Sequence, residues 1–534
     1  MIRLTGLKLS VDHEKSDIYT AIYDKLGEKV KIKEFKISNK AIDARKKPNI
    51  YIVYSVDIEV DNEDKYVDGN TIKKLVNEKY VIPNLSKYKG LRPVIVGSGP
   101  GGIFAGLILA KAGLNPIILE RGKAVDDRIT DVYNFFNTGK LDVTSNVQFG
   151  EGGAGTFSDG KLTTNSHNSR IRIVIDELIN AGADENISYI AKPHIGTDVL
   201  VNVVKKVREK IEKLGGEYRF LNQLVDIKYT NDRLKALVVK KADGSTYEIE
   251  TDYCILAIGH SARDTIYMLK NRGVYLTKKS FAVGFRIEHK QGYINECQYG
   301  KNYSKKLPPA EYKINVRTKT GRGVYTFCMC PGGVVVPASS EQGYLAINGM
   351  SYNKRNLENA NSAVLVNVEP SDLPEDVMSG IEFQREIEHK AFLLGGSNYK
   401  APVQLAKDYI AGVKTTKLLD VKPSYSIGYT LADLNEILPK YLNDALKEGL
   451  VGLNRKLKDF SNKSSVLTGV ESRSSSPVRI NRDKDTMYCN VLGLIPCGEG
   501  AGYAGGIMTA AVDGIKCSEK ILEEIQNDIW WMDK

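Results

Sequence analysis

Cysteine is scarce in this 534-residue chain: seven residues, at 254, 297, 328, 330, 489, 497 and 517, an odd number scattered from position 254 onward. That excludes the even, closely spaced framework of a disulfide-stapled domain and reads most of them as buried, reduced thiols. No second cysteine pair stands at zinc-site spacing. Long Pro, Gln or Ser tracts are missing, so nothing argues for disorder, and no internal repeat is present. The most apolar stretch, residues 94–110, is interrupted by Gly97, Gly99, Pro100, Gly101 and Gly102 and is too short to span a bilayer. Met1-Ile2-Arg3-Leu4 opens directly into an alternating pattern, with neither an apolar h-region nor a small-residue cleavage site, so the expectation is a non-secreted, cytoplasmic protein. Nor is there a strong excess of one charge. Lys+Arg 75 against Asp+Glu 65 gives +10, which favours anionic ligands such as dinucleotide phosphates or RNA without choosing between them.

What is present is ordinary for a soluble protein, 42% hydrophobic and 26% charged, and the length implies two or three domains. Residues 1–85 read as a small α+β domain: strand, amphipathic helix (Ile18, Ala21, Ile22, Leu26), a strand at 30–37, a long alternating strand at 50–60, and a helix at 71–78. A ferredoxin-like arrangement fits that order. A polar linker with Gly90 and Pro93 puts the boundary near residue 86. From 86 to 260 strands alternate with helices, including a helix at 197–214, a strand at 218–225, a hairpin around Asp243-Gly244 and an apolar strand at 253–258, which argues for α/β. Residues 261–484 change to β-type alternation (281–287, 323–329, 334–337, 344–347) with a helix at 433–448, as expected of an inserted substrate domain. Residues 485–534 return to strand, glycine-rich turn and helix, the form that completes the domain begun at 86.

The strand 94–96 runs into Gly97-Ser98-Gly99-Pro100-Gly101-Gly102 and then a helix, a G-x-G-x-x-G unit. Gly97 permits the tight turn, Gly99 lets backbone approach a pyrophosphate, Gly102 lets helix pack on sheet, and the helix N-terminus stabilises phosphate charge. A second strand, 114–119, ends at Glu120, placed for ribose hydroxyls, with Arg121 beside it. This unit alone leaves NAD and FAD open. After Glu499 the glycine-rich segment 500–507 leads into another helix, whose positive dipole end suits the N1–C2=O edge of a flavin. The loop 148–162 holds five glycines, two hydroxyls and Lys161, and is read as a second cofactor clamp through Gly152, Gly153, Ser158, Gly160 and Lys161, against the alternative of a flexible surface loop.

The array resembles the glutathione-reductase and fumarate-reductase superfamily of FAD proteins, in which a strand ending in Ala-Thr-Gly and a late Gly-Asp turn complete the site. Their counterparts here are Ala257-Ile258-Gly259 and Gly498-Glu499-Gly500, each departing by one residue. That resemblance implies FAD, held also by Val225 backbone at the adenine and by Gly505, Gly506 and Ile507 at the flavin. Segments 148–162, 327–333, 348–351 and 471–480 resemble a more specific, poorly characterised group of FAD-dependent dehydrogenases. The implied fold is a Rossmann-type FAD domain of glutathione-reductase type with an inserted α+β domain.

Beyond the flavin, Cys328 and Cys330 are the sharpest catalytic candidates, since a thiolate beside an isoalloxazine passes electrons if its pKa is low. The alternative is two core cysteines before a turn. Arg473, Arg479 and Arg482 cluster in a Ser-rich segment and suit a carboxylate or phosphate, so Arg473 and Arg479 are candidates for holding an acidic small-molecule substrate. Arg286 and His289 are further candidates. No second dinucleotide unit follows residue 120, so NAD(P)H, if it reduces the flavin, must visit transiently. The competing readings are RNA binding through the basic run 25–47 (Lys29, Lys31, Lys33, Lys36, Lys40, Arg45, Lys46), which lacks an RNP-type aromatic signature, and FAD as a structural ligand without turnover.

Overall fold

The computed structural model describes residues 1–28, 30–75, 80–164 and 168–532, with backbone alone for 528–532. Lys29 and the 76–78 end of the expected N-terminal helix lie outside these residues.

The first unit is built on alternation. In Asn49–Val60 every second side chain (Ile52, Tyr54, Val56, Ile58, Val60) is buried, and the helix Lys15–Leu26 lays Ile18, Ile22 and Leu26 over that core. The antiparallel sheet runs Ile32–Lys46, Asn49–Val60, Ile2–Ser10, Ile72–Lys74. The last strand corrects the helix expected at 71–78. Ile72 pairs with Leu4 and is buried at the sheet edge, so tertiary pairing overrides local helical pattern.

The second unit is a five-stranded parallel sheet in the order Leu494–Pro496, Cys254–Leu256, Val94–Val96, Ile117–Glu120, Glu217–Phe220. Both faces are covered, which is why its strands read as unbroken apolar runs. Val94 and Val96 face an antiparallel meander (Asn222–Thr230, Arg233–Lys241, Thr246–Glu250), whereas Ile95 and Ile118 face helices. The helix Pro100–Lys111 is apolar all round because it lies between the sheet and the helices Thr197–Lys213 and Ile507–Met532. The strand expected at 218–225 is two elements. Leu221, at φ +57, donates its N–H to the Gly122 carbonyl and turns the chain from the parallel sheet into the meander. A left-handed leucine carries no sequence mark.

The third unit is a seven-stranded sheet in the order Asn315–Arg317, Gly323–Cys330, Asn359–Val368, Phe281–Lys290, Val466–Glu471, Ala401–Leu405, Tyr429–Leu431. All its pairs are antiparallel except the last, which is parallel. The strand expected at 344–347 starts at Ile347 and pairs with Val334–Pro337. The helix expected at 433–448 is a 3-10 turn, Leu434–Glu436, followed by Lys440–Leu453; Pro439 between them has no N–H to continue a helix and stands at the N-cap of the second. One apolar core joins this sheet to the N-terminal one. Among the described residues no helix is long and apolar enough to cross a membrane.

Candidate functional site

The glycine-bearing segments converge, and the space around each glycine tells which serve packing and which leave room. A side chain on Gly97 (φ +100) would strike the Ala257 carbonyl at 2.3 Å, and one on Gly102 would strike the Gly97 carbonyl at 1.9 Å. Those two are fixed by the protein. Gly99 is different: a Cβ there meets nothing nearer than the Gly153 Cα at 3.9 Å, and at Gly259, Gly505 and Gly506 it meets nothing within 4 Å. The open positions lie on adjoining segments. Gly153 abuts Gly99, Gly155 abuts Ile507 and Pro100, and Gly500 abuts the Gly259 backbone. Gly99 is also the N-cap of the Pro100–Lys111 helix and no side chain caps that end, while Gly101 and Gly102 behind it are buried. Backbone N–H groups at an uncapped, dipole-positive end bordering open space suit a pyrophosphate.

The loop carrying Gly150, Gly152 and Gly153 is organised by a residue with no sequence signal. Arg128, fully buried on the helix Val125–Thr138, donates to the carbonyls of Asn146 (2.9 Å), Val147 (3.0 Å), Gly150 (3.3 Å), Glu151 (2.6 Å) and Gly153 (3.0 Å) and stacks on Phe157. Desolvation lowers its pKa to about 10, which still leaves it charged at neutral pH. In a linear sequence it reads as one more polar position of an amphipathic helix. Glu151 anchors the same loop through Val125 N–H and Arg208.

Glu120 is placed at its strand end as expected, but its carboxylate is spent on the protein. It accepts from Ser98 N–H (3.0 Å), Ser98 Oγ (2.7 Å), Gly122 N–H (2.8 Å) and Gly150 N–H (3.0 Å). Arg121 pairs with Asp264 at 2.9 Å and lies over Phe149. Gly152 and Gly160 are required by neighbours, Thr156 Oγ1 at 2.0 Å and Gly196 N at 2.9 Å. Ser158 closes a turn between Gly155 and Gly160. Lys161 is bound to the Met329 carbonyl and lies 3.4 Å from Glu311. Val225 is skipped between Leu224 and Asp226 in the ladder with Arg233–Lys241, a bulge that leaves its backbone out of register.

His260 and Glu499, neither singled out as an acid or base in the sequence, meet where the Cys254 strand loop faces the late glycine turn. His260 Nε2 lies 3.9 Å from Glu499 Oε1. Around Ser261 Oγ the donors sort themselves: Arg473 donates to it (3.2 Å), it donates to Gln148 Oε1 (3.1 Å), and Gln148 is oriented by its own donation to the Ala338 carbonyl. His260 Nδ1, 3.1 Å from Ser261 Oγ, must therefore carry the hydrogen, leaving Nε2 bare toward Glu499. Burial, then Arg473 and Arg263, push the imidazole down to about 3, so it is neutral at physiological pH. Burial pushes the Glu499 carboxyl up to about 7, although solvent reaches 25% of its side chain. Gly498 holds the turn in place by donating to Asp513, whose carboxylate is already forked onto Arg482. Cys497 and Cys517 stand near that carboxylate, but the guanidinium supplies its countercharge.

Several expected residues do other work. Arg473 presents no free fork: its guanidinium and that of Arg263 clasp the fully buried Glu388, with Arg473 at 2.8 and 2.9 Å. Arg286 is buried and forked onto Glu471, with Asn361, Asn348 and the Cys328 carbonyl taking its other donors. His289 is a buried core histidine bonded to the Phe460 carbonyl. Cys328 sits on a bulge of Gly323–Cys330 at φ +43 and is reached by solvent, yet it lies deep enough that burial raises its thiol to about 12; Cys330 is buried and raised for the same reason. Neither is shifted toward the thiolate that the redox expectation required. In the basic N-terminal run, Lys33, Lys36 and Arg45 pair with Asp61, Glu34 and Asp43 at 2.5, 2.6 and 2.7 Å, so much of its charge is balanced locally. Of Arg473, Arg479 and Arg482, Arg479 is the exposed one, its guanidinium lying 5.3 Å from the Tyr503 ring centroid.

Comparison with known proteins places this architecture. Residues 280–474 match the family described as FAD-dependent protein, C-terminal domain-like, and residues 1–59 match a domain of unknown function (DUF8436). Two similar solved structures are a flavoprotein/dehydrogenase from Cytophaga hutchinsonii (13% identity, 82% of this chain and 79% of that one, TM-score 0.35) and a geranylgeranyl bacteriochlorophyll reductase-like protein from Thermoplasma acidophilum (11%, 82% and 79%, TM-score 0.38). Neither assigns a residue. An uncharacterised protein of Clostridium beijerinckii is 46% identical over 535 residues, covering 98% of this chain and 99% of that one. With the FAD-dependent domain matched and a glycine cradle of the right chemistry beside it, the chain belongs to the family of that clostridial protein, within the FAD-dependent flavoproteins, and its cofactor is FAD.

Proposed function

We propose that the protein is an FAD-dependent oxidoreductase of the dehydrogenase type, exchanging hydride equivalents between FAD and a small molecule. We further infer a division into an N-terminal ferredoxin-like domain (1–85), an FAD domain of glutathione-reductase type (86–260 and 485–534) and an inserted substrate domain (261–484). FAD supplies the hydride chemistry when bound. The uncapped helix end at Gly99, with Gly153 against it, would hold the pyrophosphate; Gly259, Gly505 and Gly506 leave the room the flavin end needs. The observation that carries the reading is the pair of His260 and Glu499 beside these glycines. The Glu499 carboxyl, raised to about 7 and facing the bare His260 Nε2, can take up or release the proton that accompanies hydride transfer to or from a substrate heteroatom.

The test is anaerobic reduction of the purified yellow protein by NADH, NADPH and a panel of metabolites, followed by reoxidation with O₂ or quinones. Bleaching of the flavin by at least one donor at a rate far above its spontaneous photoreduction is the expected result. Flavin that no donor reduces would leave a non-catalytic FAD-binding protein. With no second dinucleotide unit in the chain, a nicotinamide donor should bind only transiently.

A further inference from the structure

The unused charge in this site is positive. Lys279 follows the strand Leu276–Lys278, and Arg479 is the central residue of Val478–Ile480, paired antiparallel to it. The two side chains meet over one glycine of the late turn: a Cβ on Gly502 would lie 3.2 Å from the Arg479 Cα, 3.3 Å from its Cβ and 3.3 Å from the Lys279 Cδ. Gly502 belongs to the same turn as Glu499 and Gly505. Neither cation has a carboxylate within 4.0 Å among the described residues. Lys279 reaches only the Ser280 carbonyl, at 3.5 Å, and Arg479 only the Tyr503 ring. The contrast with the other arginines of this region is the point, because Arg263 and Arg473 share Glu388 and Arg482 holds Asp513.

Two like charges close together with no directly paired carboxylate repel, and the partial burial of Lys279 makes that worse. Lys279 shows the cost: desolvation and Arg479 lower its pKa, and the carboxylate of Glu499 offsets only part of this. Glu499, itself raised to about 7, is largely a neutral acid below that pH and cannot serve as a full countercharge there. An anion arriving from solution would relieve the repulsion, and a planar guanidinium beside an ammonium matches a carboxylate or phosphate group.

We propose that Lys279 and Arg479 form the anion-binding subsite for the substrate of this flavoenzyme, so that the small molecule carries a carboxylate or a phosphate. The proposal rests on the reading of the protein as an oxidoreductase and adds the substrate class. It replaces Arg473, whose fork is closed on Glu388, with Lys279 as the partner of Arg479. FAD itself is the competing claimant, since its own pyrophosphate is anionic, and the experiment has to separate the two.

The full-length protein with its FAD is titrated by calorimetry with inorganic phosphate and, separately, with malonate, at ionic strength held constant with KCl, while flavin absorbance is recorded. Lys279→Met, Arg479→Gln, the double variant and the charge control Lys484→Gln are compared with the wild type. At least one anion should bind and perturb the flavin spectrum, with affinity falling about tenfold for each single variant, as the loss of one charge-assisted contact implies. The control should be unchanged and FAD content should stay at wild-type stoichiometry in every variant. Phosphate responding without malonate identifies a phosphorylated substrate, and the converse a carboxylate. No binding of either anion to the wild type, binding that survives the double variant, or FAD lost from it while Lys484→Gln retains FAD would each overturn the proposal. If the wild type proves reducible by no donor, the oxidoreductase reading fails separately, because the calorimetric result does not depend on turnover.

Discussion

Gly99 separates what the protein needs from what the cofactor needs. Its Cβ position is vacant of protein to 3.9 Å, so Gly99→Val should fold with the wild-type circular dichroism and a similar melting temperature for the apoprotein. The same methyl groups would occupy the pyrophosphate approach, and FAD should be lost on purification. Gly102→Val, aimed at the Gly97 carbonyl, should instead fail at the level of folding. Stoichiometric flavin in folded Gly99→Val would remove that glycine from the site. Glu499 offers a pH test. Its folded pKa lies above its ordinary value of 4.5, so the folded protein holds this proton more tightly than the unfolded chain does. The stability it contributes is complete below about pH 4.5 and is lost as pH rises toward 7. His260 is displaced in the opposite sense, and its contribution is lost as pH falls from 6.5 toward 3. Comparing apoprotein melting of the wild type with Glu499→Gln cancels the His260 term. The wild type's advantage should shrink between pH 4.5 and 7, and a pH-independent difference would refute the raised carboxyl. For Cys328 and Cys330, thiols not shifted toward the thiolate imply that the double serine variant keeps FAD and is reduced by dithionite at the wild-type rate, read by stopped-flow absorbance.

At the scale of elements, the loop of residues 146–153 is the part of the site most dependent on one side chain. Five of its carbonyls converge on Arg128. Replacing it with Met takes a charged donor from all five, leaving Gly150, Glu151 and Gly153 with their bonds from Gly153 N–H, Thr156 Oγ1 and Thr156 N–H, and the loss should be about 3–5 kcal/mol, the range for breaking a buried charged network. Arg128→Lys should not rescue it, since one ammonium cannot span a fork of five acceptors. Faster amide exchange at 146–153, with FAD lost in the same variant, is the readout; unchanged exchange would show that the loop stands without it. This element also shows where sequence reasoning stopped. The unit 94–120 was legible because strand, glycines, helix and terminal acid are contiguous, and each leaves a periodic or compositional mark. The C-terminal return was legible for the same reason. Arg128 was not, because its acceptors are backbone atoms that any residue supplies. The Arg473–Glu388 clasp joins residues 85 positions apart, and nothing local to either names the other. The break at Leu221 and the edge strand at Ile72 were hidden because tertiary contacts set them against local preference.

Across the whole molecule, the cradle is built from chain segments 400 residues apart. Gly101 packs on Cys497 and Ala510, Gly514 packs on the Gly101 backbone, and the Ser518 hydroxyl bonds the Ala105 carbonyl, so the helices Pro100–Lys111 and Ile507–Met532 form one wall. The N-terminal sheet stands apart from it, joined through a shared apolar core to the seven-stranded sheet and through the pairing of Lys40 with residues 189–191. A ligand that bridges distant segments stabilises them together, and at a hundredfold excess over its dissociation constant it adds about 2.7 kcal/mol to the folded state. FAD added to the apoprotein should therefore slow amide exchange at 97–106, 146–160, 257–261 and 498–518 in concert. The sheet of residues 2–60 should change little, because none of the open glycines Gly99, Gly259, Gly505 and Gly506 lies on it, and it gains only whatever protection passes through global unfolding. Protection confined to 97–120 would mean that the C-terminal turn is not part of the cofactor site. His260 and Glu499 would then have to be judged as a buried pair without a flavin beside it.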